Sequence, residues 1–252
     1  MTDALLHKIG GKGPDILLIH GFGADRLSWL ALAPKLLQFG TIWAIEYGAH
    51  GAAGNDVGDG SLTDLTAAIE AKVKKELISP IIVGHSLGGT LALSLISRGV
   101  VVSSGLVLLA PAGFRKSLDI SFIRKLPEVV DGAVAHELLK QLVVRKNLIT
   151  KRMAAAFVET LEDASRRAAL RTISTTLKTA TSPPLPPDIP YIILWGDSDE
   201  VLSPPSNPPM KFQLLSNVGH LPHVEAVEDV VKAIQTIIDI KLKYPYLIEK
   251  DE

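Results

Sequence analysis

Short apolar runs, each closed by a glycine-rich or polar turn and most followed by a helical stretch, recur along this chain and leave it few folds to adopt. Residues 16–19, 41–47, 80–84, 105–110, 191–195 and 211–215 are such runs. Those that lack polar alternation, such as 16–19 and 105–110, read as strands buried on both faces, as in a parallel sheet covered by helices. Strand alternating with helix implies right-handed crossovers and an α/β fold. One helix is especially clear. Leu62, Leu65, Ile69, Val73 and Leu77 fall at helical spacing behind Ser61 as N-cap, and Asp64 completes a capping-box pattern. A helix over 25–37 carries Pro34 inside it, which kinks or restarts it. A short strand about residues 5–9 brings the expected sheet to about seven strands. Aliphatic side chains must fill the core, because aromatics make up only 5% of a chain that is 47% hydrophobic.

The rhythm breaks at residue 114. From there to about 181 no strand pattern occurs, and helices are expected over 120–126, 128–144, 148–161 and 164–179. This all-helical insertion closes with the stiff linker Ser182-Pro183-Pro184-Leu185-Pro186-Pro187-Asp188-Ile189-Pro190. Alternation then resumes and ends in a helix from 224 to about 242. The expected organisation is a core of residues 1–113 and 186–252, interrupted by a helical unit at 114–185.

Composition excludes several functions. A net charge of −1 argues against a nucleic-acid partner, since phosphate binding requires a basic surface. With no cysteine there is no thiol catalysis, no disulfide and no thiolate metal site. Neither a signal-peptide pattern nor an apolar run of the ~18–20 residues that span a membrane is present. The expectation is a cytoplasmic protein, monomer or homodimer, without metal or cofactor and without membrane insertion.

The chemistry concentrates at strand ends. Gly84-His85-Ser86-Leu87-Gly88-Gly89 follows an apolar strand and opens a helix, so a sharp turn pushes Ser86 out at the end of the sheet. Gly84 and Gly88 leave the turn uncrowded. A serine hydroxyl needs a histidine to take its proton and a carboxylate to orient that histidine. Of seven histidines, His220 in Gly219-His220-Leu221-Pro222 stands just past a strand and is the candidate base, with His223 as runner-up. His50 lies in a loop that borders the site, and His85 is expected to point into the sheet or away from it. The acid comes from Asp197, Asp199 or Glu200 after Trp195. Asp199 is favoured because two residues after Gly196 let the chain turn back, while Asp197 suits a turn-stabilising role. Acyl transfer also requires two backbone N–H donors for the developing oxyanion. Leu87 N–H starts the helix after the serine, and Phe22 N–H lies in the close-approaching His20-Gly21-Phe22-Gly23 turn.

These three segments, together with Gly196-Asp197-Ser198-Asp199 and the extension of the histidine segment through His223-Val224-Glu225, resemble the α/β-hydrolase fold superfamily, in particular its small capped serine esterases. The resemblance spans roughly residues 16–240. It implies Ser86, Asp199 and His220 as a triad, the N–H groups of Phe22 and Leu87 as oxyanion hole, and the helical insertion as a cap over the site. One departure concerns the loop after the second core strand, where the family commonly carries Asp-x-x-Gly-x-Gly-x-Ser and this chain reads Glu46-Tyr47-Gly48-Ala49-His50-Gly51-Ala52-Ala53. A serine nucleophile points away from the dehalogenases and epoxide hydrolases of the superfamily, which use aspartate. The implied activity is hydrolysis of carboxylic esters with small to medium acyl chains through an acyl-enzyme, similar to the pimeloyl-carrier methyl ester esterases. The alternatives are an enol-lactonase or C–C bond hydrolase of ring-cleavage products, and, further off, a non-catalytic ligand-binding protein. Phe22, Phe114, Leu139, Met153 and Phe157 are the candidates to line a small-molecule ester pocket.

Overall fold

In the computed structural model, which describes residues 3–114, 121–178 and 181–243, the apolar runs do become a single sheet. Its strands are β1 (Ala4–Gly10), β2 (Asp15–Ile19), β3 (Thr41–Tyr47), β4 (Ile81–His85), β5 (Gly105–Leu109), β6 (Tyr191–Gly196) and β7 (Phe212–Leu215). Their spatial order is β1-β3-β2-β4-β5-β6-β7. Only β1 runs antiparallel, paired to β3; every other neighbouring pair is parallel. Among the described residues this gives the seven strands expected.

Alternation along each strand sends side chains to two separate cores. Ile16, Leu18, Ile42, Ile81, Val83, Val107 and Leu109 face one layer. Leu17, Ile19, Ile45, Ile82, Leu106 and Leu108 face the other. The first layer is closed by α1 (Ala33–Leu36) and by α9 (Val227–Lys243), whose Val230, Ile234 and Ile237 are fully buried. The second is closed by α2 (Leu62–Glu76) and α3 (Leu87–Ser97), through Leu65, Ile69, Val73, Leu91 and Leu95. Each full burial of such a side chain stabilises the fold by ~1.5–3 kcal/mol. With β2, β4 and β5 flanked on both faces, their C-terminal ends gather along the same edge.

Two helices differ from expectation for local reasons. The helix expected over 25–37 is split into a 3-10 turn, Arg26–Trp29, and α1, with Pro34 in the first turn of α1. Proline cannot supply an interior N–H, but the first turn needs none. The end helix is likewise broken into α8 (Pro222–Glu225) and α9, with Ala226 between them. At α2, Ser61 accepts from the Asp64 N–H at 3.2 Å, but the Asp64 carboxylate reaches back to the Asp59 N–H instead of closing the box on Ser61.

Between β5 and β6 the described residues form only helices: α4 (Ser121–Lys125), α5 (Gly132–Lys140), α6 (Lys151–Thr160) and α7 (Ala164–Thr176), with short 3-10 turns at Leu126–Glu128 and Lys146–Leu148. Residues 120 and 179, the expected outer ends of two of these helices, lie outside the described residues. The middle helices are shorter than their apolar periodicity suggests. Asp131 accepts from the N–H groups of Ala133 and Val134, and Thr150 from that of Met153, so each is an N-cap and not an interior residue.

Candidate active site

Ser86 sits between β4 and α3 with φ +51° and ψ −119°. A non-glycine residue in this region is strained by about 1–3 kcal/mol and is held there by its surroundings. The Ser86 N–H donates to Leu109 O on β5 at 2.9 Å, and Ser86 O accepts from Gly89 N and from Ala112 N. The glycines beside it are obligatory for space. A Cβ on Gly84 would stand 2.6 Å from Gly88 O and 2.7 Å from Gly89 Cα, and one on Gly88 would collide with Ile19 O and His20 O. All of these are backbone atoms that cannot swing aside.

His220 and Asp199 meet directly. His220 Nδ1 lies 2.7 Å from Asp199 Oδ2, and both side chains are buried. A carboxylate only accepts, so Nδ1 carries the proton and Nε2 presents a lone pair. The other oxygen, Asp199 Oδ1, accepts from Val201 N and Leu202 N, each at 2.8 Å. Asp197, the other acid weighed from sequence, is instead a turn residue. It takes a hydrogen bond from the Ser198 hydroxyl at 2.7 Å and from Asn217 N at 2.9 Å, and these donors hold its carboxyl below the ordinary range. His223 is buried between the rings of Trp29 and His85, with centroids 4.6 and 4.7 Å away. Among the described residues its ring nitrogens have no hydrogen-bond partner, and burial, with His220 nearby, pushes its pKa down to about 3.

Ser86 and the His220–Asp199 pair stand on the same sheet edge, linked through His85. The His85 Nε2 lies 2.8 Å from His220 O, and the two rings are 4.8 Å apart. His85 therefore points beneath the His220 loop, a role that could not be read from its position in the chain. Among the described residues no hydrogen bond joins the Ser86 hydroxyl to His220; such bonds are often long in an unliganded site and tighten with substrate.

The turn after β2 packs against the serine. A Cβ on Gly21 would lie 3.1 Å from Ser86 Cβ and 2.9 Å from His85 Nδ1. Among the described residues, neither Phe22 N–H nor Leu87 N–H has an intramolecular acceptor, whereas Gly23 N–H donates to His50 Nε2 at 2.9 Å. His50 must be neutral to accept. Burial and the neighbouring His20 push its pKa down to about 3, and its Nδ1 faces Gly48 O at 2.8 Å. Tyr47 completes the support: its hydroxyl donates to His20 O at 2.9 Å, and its ring stacks on His20 at 4.6 Å. Glu46 stands where the family pattern has aspartate. It accepts from Ala52 N, Arg26 N and the Arg26 guanidinium, and these overcome the upward push of burial to leave its pKa below the ordinary value.

The described segment between β5 and β6 touches this edge at several points. A Cβ on Gly23 would meet Leu126 and Phe157, Leu142 O accepts from His220 N at 2.8 Å, and Arg166 Nη2 donates to Gly51 O at 2.7 Å. Phe22, Phe114, Leu139 and Phe157 are partly buried against the core beneath, while Met153 is 51% exposed. Among the described residues no three His, Asp or Glu side chains converge to hold a metal ion. No described helix is long and apolar enough to cross a membrane. A shallow depression of about 340 Å³ lined by Tyr191, Met210 and Phe212 lies at the start of β6 and β7, the opposite end of those strands from Asp199 and His220.

The sequence profile of the alpha/beta hydrolase family matches residues 16–233. The chain belongs to that family. The proteins that this chain resembles differ in what they do. It is 24% identical over 234 residues to a dihydrolipoyllysine-residue acetyltransferase component of an acetoin cleaving system from Pseudomonas putida, covering 88% of this chain but only 63% of that protein's length. It is 24% identical to lipase 3 of a Moraxella species, covering 86% of this chain and 75% of the lipase. Among solved structures, a meta-cleavage product hydrolase from Pseudomonas fluorescens superposes with a TM-score of 0.80 at 18% identity, covering 94% of each chain.

Proposed function

We propose that this hydrolase cleaves carboxylic esters of small to medium acyl chains, with Ser86 as nucleophile, His220 as general base and Asp199 as its orienting acid. The observation that carries this reading is the strained Ser86 on the same sheet edge as a buried His220–Asp199 pair. Ser86 Oγ attacks the ester carbonyl as His220 Nε2 takes its proton. The resulting oxyanion accepts from the free N–H groups of Phe22 and Leu87. Collapse returns the proton from His220 to the departing alkoxide and leaves an acyl-serine, which water cleaves by the same two steps. Residues 114–185 act as the cap, with the core at 1–113 and 186–252. Phe22, Phe114, Leu139 and Phe157 line the acyl pocket, and half-exposed Met153 is left out of it. The likeness to a lipase and the absence of any carboxylate at position 86 support ester chemistry.

The meta-cleavage product hydrolase shares this fold, so C–C bond cleavage is the second reading. Purified protein and its Ser86→Ala variant are offered p-nitrophenyl acetate, p-nitrophenyl butyrate and a ring-cleavage dienoate. The expected result is turnover of the esters that Ser86→Ala loses by about 10⁴-fold or more. Equal rates for the two proteins would sink the serine mechanism, and rapid turnover of the dienoate alone would reverse the ranking.

A further inference from the structure

Glu225 lies five residues beyond His220 and takes no part in the chemistry above, yet its side chain is completely buried. Its carboxylate accepts from two separate parts of the chain. On one side Oε2 takes the N–H of Gly219 at 2.8 Å, immediately before His220. On the other, Oε2 takes the N–H of Val144 at 3.1 Å and Oε1 that of Arg145 at 2.8 Å, both in the turn that follows α5 in the cap. The same cap turn reaches His220 itself, because Leu142 O accepts from the His220 N–H at 2.8 Å. Arg145 adds a hydrogen bond from its Nη2 to Glu225 O at 2.9 Å. No room is left between the parts: a Cβ on Gly219 would stand 2.8 Å from Leu142 O, 2.9 Å from Val143 Cα and 3.1 Å from Glu225 Oε2.

We propose that Glu225 is a positioning residue that locks the His220 loop to the Leu142–Arg145 turn, so that the placement of the general base depends on the cap. The inference rests on His220 being that base. A buried carboxylate is tolerated only while its donors are all in place, and stripping any of them leaves charge unpaired in the interior. The cap turn therefore cannot lift away while the His220 loop stays put; the two move together or not at all. Lys146 Nζ also reaches Glu200 beside Asp199, at 3.3 Å, but that pair is exposed and adds little. This edge is accordingly the fixed foot of the cap, and substrate enters elsewhere.

The test uses the full chain with Glu225→Gln and Glu225→Ala, read in two ways. In hydrogen exchange, the Glu225→Ala variant is expected to expose residues 140–146 and 216–222 together, with the β4 segment 81–85 still protected. In steady-state kinetics on p-nitrophenyl butyrate, kcat is expected to fall by about 10²-fold with KM within about threefold, the cost of a general base displaced by about an ångström. Glu225→Gln keeps the side-chain volume and one acceptor oxygen, guarding against a variant that does not fold, and is expected to show both effects in weaker form. Faster exchange confined to 216–222 with the cap turn unchanged would overturn the lock, as would a kcat within about threefold of the native value. If the native chain turns over no ester, the proposed hydrolysis fails, and joint or separate exchange of the two segments still decides the lock.

Discussion

The two sides of the serine are held in different ways. On the side proposed to hold the oxyanion, the His20–Gly23 turn is supported from β3 and the loop after it, through Tyr47 to His20 O and His50 to Gly23 N. These groups belong to the core, though Leu126 and Phe157 of the inserted segment pack against Gly23. On the proposed base side, the Gly219–His220 segment is bonded to Leu142 O and to Glu225, which is itself shared with the helices between β5 and β6, and also to His85 of the core. One half of the site is thus fixed mainly by the sheet that carries the serine. The other half depends also on how the helices between β5 and β6 seat. A change in those helices is expected to act on proton transfer before it acts on oxyanion stabilisation.

The largest test of this division removes the proposed acid. Asp199→Asn is expected to lower kcat by about 10⁴-fold, because an amide NH₂ facing Nδ1 favours the wrong imidazole tautomer. Asp197→Asn, which alters only a surface turn, is expected to stay within about threefold. The oxyanion side remains intact in Asp199→Asn, so its residual rate should still exceed the uncatalysed reaction by about 10³-fold. A residual rate equal to background would mean that the core-held half contributes nothing on its own, and the division would collapse.

Next in size is the tether on the oxyanion side. His50→Ala deletes the acceptor of Gly23 N–H and is expected to reduce kcat about 10- to 100-fold with little change in KM, somewhat less than the loss of an oxyanion donor itself. His50→Gln offers an oxygen in a similar place and should recover most of the rate. Hydrogen exchange in His50→Ala should rise over 20–25 and stay unchanged over 140–146. If both segments loosen, the two halves are coupled through the core, and the contrast between them is lost.

These supports mark where sequence stopped being informative. The sheet is legible because buried parallel strands are continuous apolar runs, and Ser86, Asp199 and His220 follow strand ends by one, three and five residues. The Asp199–His220 contact bridges only 21 positions between adjacent strands. His50 and Glu225 were not legible as supports. Their partners lie 27 and as many as 81 positions away, and nothing local in Gly48-Ala49-His50-Gly51 or Pro222-His223-Val224-Glu225 says which N–H each will meet. The helices between β5 and β6 are shorter than expected for a different reason. Asp131 and Thr150 are good N-cap residues, but apolar spacing continues past them, and periodicity outweighed the capping signal.

The smallest effect expected concerns acid stability, and it samples both sides at once. His50 on the oxyanion side and His223 on the base side are each buried neutral, with pKa values pushed from the ordinary 6.5 down to about 3, mainly by burial. Above pH 6.5 neither the folded nor the unfolded state protonates them, and their contribution to stability is complete. Between pH 6.5 and about 3 only the unfolded state takes up the proton, so stability falls by ~1.4 kcal/mol per pH unit for each histidine. From pH 6.5 to 5 each should therefore cost about 2 kcal/mol, read as a lower denaturant midpoint. His223→Leu keeps a buried side chain between Trp29 and His85 and removes one titrating group, so its stability should decline less steeply over that range than the native chain's. His50→Gln should flatten the decline by a similar amount, since each variant removes one such group. If only one of them flattens it, the half of the site carrying the other histidine opens to solvent before global unfolding. That half would be the looser of the two.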